Sequence, residues 1–123
     1  MRRRDRMTLM IEAMRRIASK EADWATFEDA DHPENYIQLA DFGRDGVTFV
    51  EVTCRDWGVP GEAPLNDGQI EALAALGFGR VRDPNHSGYF AWPEAVCIAK
   101  LCETAFGILG SAEDFDLRLA PAR

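Results

Sequence analysis

The sequence is poor in the residues that most often build catalytic and metal centres. It has two histidines and three cysteines in 123 residues. No pair among them has finger-like ligand spacing, so no metal and no cofactor is expected. Cys97 and Cys102 stand five apart on an expected helix, about 140° apart around its axis, and cannot converge on one ion. Buried cysteine acting as a small hydrophobe is the reading for both. An odd cysteine count without a secretion signal reads as reduced thiols in a cytoplasmic protein. No apolar run comes near the roughly 20 residues that cross a bilayer, so no membrane partner is expected. Positive charge is short too: 14 basic against 21 acidic residues leaves a net charge of −7. That balance argues against nucleic acid as a partner. The glycines fall singly in turns and make no phosphate-cradling loop. The acidic stretch from Glu113 to Asp116 lacks the glycine that a calcium loop needs.

Hydrophobic residues make up 46% of the chain and charged residues 28%, which suits one domain with a real core. Residues 1–7 read as a basic flexible tail, 8–110 as the domain and 111–123 as a C-terminal tail. Thr8 is placed to cap the first helix. Met10, Ala13, Met14, Ile17 and Ala18 then recur at helical spacing and form one apolar stripe. Asn66 or Asp67 can cap a second helix carrying Ile70, Leu73 and Ala74, with Gly77 as its stop. A third helix carries Ala95, Ile98, Ala99, Leu101, Cys102, Ala105, Phe106 and Leu109, and Gly110 ends it. Leu117 and Leu119 either add a short strand or stay loose.

Between the first two helices the period changes from helical to alternating. Ala25 to Phe27 suits a first strand. Tyr36–Phe42 and Val47–Cys54 are rich in β-branched and aromatic residues and are joined by a Gly-x-Asp-Gly loop, a β-hairpin signal. Ile37 and Leu39 share a face, as do Val50, Val52 and Cys54. Tyr36 and Gln38, and Phe49 and Glu51, fall on the opposite, mixed face. Phe78–Arg82 and Tyr89–Trp92 suit two further short strands, with residues 83–88 as a turn. The class is therefore α+β, an antiparallel sheet with helices packed on one side, in the order α-β-β-β-α-β-β-α.

Little here supports catalysis. Glu28, Asp29, Asp31 and Glu34 cluster in what reads as a solvated loop. His32 and His86 lie in loop-like stretches. A hydrolase built on Cys54 would need one of them nearby. Glu51 stands out because glutamate is a poor strand former. It either faces solvent or receives a ligand beside Tyr36, Gln38 and Phe49.

The hairpin and the second helix resemble a known bacterial pattern. The residues are Tyr36-Ile37-Gln38-Leu39, Gly46 to Val52, then Leu65, Gln69, Leu73, Leu76-Gly77-Phe78 and Trp92-Pro93. Over residues 8 to 110 the chain resembles the TY-Chap domain, a relative of type III secretion chaperones and YbjN-like proteins. The resemblance implies a type III secretion chaperone-like fold, a homodimer, and binding of a protein or peptide client without enzymatic activity. Candidate contact residues are Met10, Met14, Tyr36, Gln38, Phe49, Glu51 and Trp57. Met10 and Met14 would suit an adaptable apolar groove, or else form ordinary core. The alternative is a small-molecule sensor or immunity-type regulatory domain that binds on the mixed sheet face.

Overall fold

A helix rich in arginine opens the chain. The computed structural model describes residues 1–41, 47–55, 64–79, 85–91 and 95–120. Helix α1 spans Arg3–Ala18, and strands β1, β2 and β3 span Trp24–Asp29, Tyr36–Asp41 and Val47–Val52. Helix α2 (Asp67–Ala75), strand β4 (His86–Ala91), helix α3 (Ala95–Leu109) and strand β5 (Leu117–Leu119) complete the order. The strands form one antiparallel sheet in the order β4-β3-β2-β1-β5. The class is α+β, as the alternation and helical stripes require.

Alternation decides which side of the sheet is covered. Phe27, Ile37, Leu39, Val50 and Val52 point to one face and are fully buried. Against them lie Met10, Ala13, Met14 and Ile17 of α1, Leu73 of α2, and Ile98, Ala99, Cys102, Ala105, Phe106 and Leu109 of α3. Burying each large aliphatic or aromatic side chain contributes about 1.5–3 kcal/mol, so this single layer of contacts is the main source of stability.

Helix ends follow backbone chemistry. Asn66 caps α2 by accepting from the Gln69 N–H, while the Gln69 side chain accepts from the Asn66 N–H, both at 2.9 Å. This reciprocal box satisfies two donors that the helix leaves without partners. Each described helix stops in the same left-handed motif. The Glu21, Phe78 and Ser111 N–H groups reach back to the Arg16, Leu73 and Phe106 carbonyls. The residue turned to positive φ is Gly77 in α2 and Gly110 in α3, but Lys20 in α1.

The order differs from expectation in its C-terminal half. Of the expected Phe78–Arg82 strand, Phe78 and Gly79 are described, and Gly79 pairs in an isolated bridge to Ser87. Residues 80–84 lie outside the described residues. Strand β4 begins at His86, which is buried rather than in a loop. Gly88 therefore sits inside a strand, where the Gly77 carbonyl and the Phe90 ring approach it. Strand β5 joins the free edge of β1, with Leu119 opposite Phe27 and Leu117 opposite Asp29.

Neither terminal segment described is a loose tail. Helix α1 already runs at Arg3, so Thr8 is internal to it, its hydroxyl donating to the Arg4 carbonyl. Arg6 is only 3% exposed. All of its donors are used. Nε and Nη2 bind the Glu103 carboxylate; Nη1 donates to the Met1 and Phe115 carbonyls; Nη2 also donates to that of Glu113. The guanidinium lies 4.2 Å from the centre of the Phe115 ring, a cation–π contact. Phe115 in turn stacks against Phe106, the ring centroids 4.8 Å apart.

Candidate functional site

The face of the sheet opposite the helices is the candidate site. Strand register arranges its side chains in rows. One row runs Trp24, Ala40, Phe49, Tyr89, and the next runs Thr26, Gln38, Glu51, Ser87. A third row holds Arg118, Glu28 and Tyr36. The structure thus brings Tyr36, Gln38, Phe49 and Glu51 together on one surface, as alternation predicts.

The first row is aromatic and wet. Tyr89 is 60% exposed and Trp24 43%. The Phe49 and Tyr89 rings sit 5.2 Å apart with their planes tilted by 39°, within the range of favourable aromatic pairs. Tyr89 and Trp24 carry no special local signal in the sequence. Cross-strand pairing alone brings them beside Phe49.

The polar rows are uneven. Glu28 is tied to Arg118, whose Nε donates to Oε1 at 2.7 Å. Glu51 has no such cation among the described residues. The Asn85 Nδ2 donates to Glu51 Oε2 and to the Tyr36 hydroxyl, both at 3.3 Å, while Asn85 Oδ1 accepts from the Cys54 N–H at 3.1 Å. At this end the face closes over, and Thr53 and Asn85 are buried. Asn85 is not legible from sequence, since a single amide in a polar turn has no distinguishing pattern.

Other expected positions fall elsewhere. Met10 and Met14 are fully buried in the core and line no open groove. Their helical spacing turns both inward between α1 and the sheet. Trp57 lies outside the described residues. Cys102 is buried but Cys97 is exposed, because the two point to different sides of α3. Burial, with Glu103 adding to it, pushes the Cys102 thiol up from 9.0 to about 12. Such a thiol is a poor nucleophile. Cys54 is buried too.

The acidic loop is less solvated than composition suggests. Asp29 is 1% exposed, and its Oδ1 accepts from the Asp31 and His32 N–H groups at 3.0 and 3.3 Å. Asp29 Oδ2 and Asn35 Oδ1, opposite each other on the core face of β1 and the start of β2, have no donor among the described residues. His32 is exposed beside Glu34, with Nδ1 3.4 Å from Oε1. Among the described residues no group of three or more His, Cys, Asp and Glu side chains could hold a metal ion. No described helix is long and apolar enough to cross a membrane.

Comparison of the chain with family models, curated proteins and solved structures found no match.

Proposed function

We propose that the chain is a non-enzymatic, chaperone-like domain that binds a peptide or protein client on the open sheet face and works as a homodimer. The observation that carries this reading is the aromatic row of exposed Trp24 and Tyr89 with half-buried Phe49, on a face that no described helix covers. Exposed aromatics grouped in this way favour contact with another chain. The resemblance of Tyr36-Ile37-Gln38, Val50-Glu51-Val52 and Leu76-Gly77-Phe78 to TY-Chap and YbjN-like sequences, and with it to the type III secretion chaperone fold, supports the same reading.

The energetics favour a dimer. Burial of three large side chains gains about 5–9 kcal/mol at the usual 1.5–3 kcal/mol each. Association costs an estimated 4–15 kcal/mol or so. One face binds weakly, and two linked faces raise the apparent affinity without new kinds of contact.

The test uses the full chain and a permanently unfolded polypeptide, a reduced and carboxymethylated protein, in a binding titration. Light scattering after size exclusion gives the mass. The expected result is a dimer that retains the unfolded chain and loses it when Phe49 and Tyr89 are both changed to Ser. A monomer that retains no unfolded chain would overturn the proposal.

A second reading, a small-molecule sensor or immunity-type regulatory domain, is favoured by the Asn85 amide held between the Tyr36 hydroxyl and the Glu51 carboxylate. Such a fixed set of directional groups orients small ligands. Thermal stabilisation by a small molecule, removed by Asn85→Ala, would select this reading over the first.

A further inference from the structure

Among the described residues, Glu51 is the carboxylate of the open face that has no cationic partner. Three glutamates with defined partners can be compared. Glu103 receives two short donors from Arg6, at 2.7 and 2.8 Å. Glu28 receives Arg118 at 2.7 Å. Glu51, half-buried mid-strand, has among the described residues only a neutral amide at 3.3 Å, which also donates to the Tyr36 hydroxyl. An ionised carboxylate accepts up to about four hydrogen bonds. Its neighbours along β3 on the same face include Phe49, one row away, and Phe49 stacks with Tyr89. Gln38 lies opposite Glu51 across the β2–β3 pair.

We infer that this face recognises an arginine side chain presented by an extended client segment, the guanidinium stacking on the Phe49–Tyr89 pair and forking onto the Glu51 carboxylate. The inference rests on the client-binding reading above and names what the client must carry. A planar guanidinium suits the site better than an ammonium, because it can stack on a ring and donate two parallel N–H groups at once. Arg6 shows both contacts inside this same molecule, one with Glu103 and one with Phe115. Adjacent rows of a sheet are roughly 7 Å apart along the strand, a span that a guanidinium and its aliphatic stem cover. The net charge of −7 draws cationic segments towards the protein. An extended segment also sets alternate side chains down on the face, so one arginine engages while its neighbours point away.

The experiment measures binding of the full chain to short fluorescein-labelled peptides of Ser, Thr and Val that differ only at the central residue, arginine or citrulline. Citrulline keeps the shape and loses the charge. The expected result is binding of the arginine peptide about tenfold tighter than the citrulline peptide, on the scale of one charge-assisted hydrogen bond, and weakened by salt. Glu51→Gln, which keeps an acceptor for Asn85, brings the ratio of the two affinities close to one. Glu12→Gln, exposed on α1, leaves the ratio as it was. Equal affinity for both peptides overturns arginine recognition while leaving client binding standing. Binding of neither peptide, or a second copy of the chain occupying the face as judged by a mass that falls when Phe49 is changed to Ser, overturns the inference. Loss of binding to the unfolded polypeptide as well removes the client-binding reading with it. Circular dichroism of Glu51→Gln separates a local effect from unfolding.

Discussion

Arg6 and Glu103 form a two-pronged ion pair between α1 and α3, with Nε–Oε2 at 2.8 Å and Nη2–Oε1 at 2.7 Å and both side chains almost wholly withdrawn from water. A buried pair of this kind is more informative when broken than when counted. Removing one partner strands the other charge, at a cost of about 3–5 kcal/mol. Glu103→Ala is therefore expected to lower stability by about that amount, read as a shift in the urea unfolding midpoint. Replacing both residues together, Arg6→Met with Glu103→Leu, should cost less than the sum of the single changes. Strict additivity would show that the two side chains are not energetically coupled.

Cys102 ties stability to alkaline pH. The thiol is raised to about 12 in the folded chain against 9.0 when free. The unfolded state therefore loses its proton first. The contribution is fully present below 9.0 and is lost as the pH climbs from 9.0 towards about 12. The slope approaches but does not exceed about 1.4 kcal/mol per pH unit for one group. Cys102→Ala should flatten this alkaline decline while lowering stability at neutral pH. The measurement is unfolding free energy against pH for both proteins, and parallel alkaline limbs would refute it.

Two glycines with opposite surroundings should respond in opposite directions. A Cβ at Gly88 would meet the Gly77 carbonyl oxygen and the Phe90 ring, both at 2.8 Å, and the carbonyl belongs to backbone that cannot rotate away. Gly88→Ala is expected to cost about 1–3 kcal/mol. At Gly107, inside α3, nothing lies within 4 Å of the added carbon. Gly107→Ala should stabilise by about 0.5–1 kcal/mol through helix propensity alone. Thermal unfolding of the two variants decides, and shifts of the same sign would contradict the packing described.

Periodic features are the legible part of the sequence. Alternation places Ile37, Leu39, Val50 and Val52 on the buried face and Gln38 and Glu51 on the open one, because period two admits only that arrangement once one face is covered. Asn66, Gly77 and Gly110 are legible because capping and left-handed turns depend on local chemistry. Arg6 is not. A charged residue near one end reads as solvated, and its burial depends on acceptors at residues 103, 113 and 115. Strand β5 stays open in the sequence, as strand or loose chain, for the same reason: three residues carry no period of their own and take their form from the edge of β1. The site is half legible: Tyr36, Gln38, Phe49 and Glu51 from alternation, but Tyr89, Trp24 and Asn85 only through pairing across strands. Met10 and Met14 show the converse, a stripe whose spacing is the same for a groove and a core.

The long reach of Arg6 has a consequence for synthesis on the ribosome. Its partners include residues 97 to 109 positions downstream, and β1, an inner strand, is completed on one side only by residues 117–119. Contacts so distant along the chain form slowly. The nascent polypeptide thus carries an unpaired strand edge and an uncompensated guanidinium until residues 103 to 119 have emerged. Unpaired strand edges template aggregation, so the vulnerable interval of this protein is the one before residues 117–119 leave the ribosome.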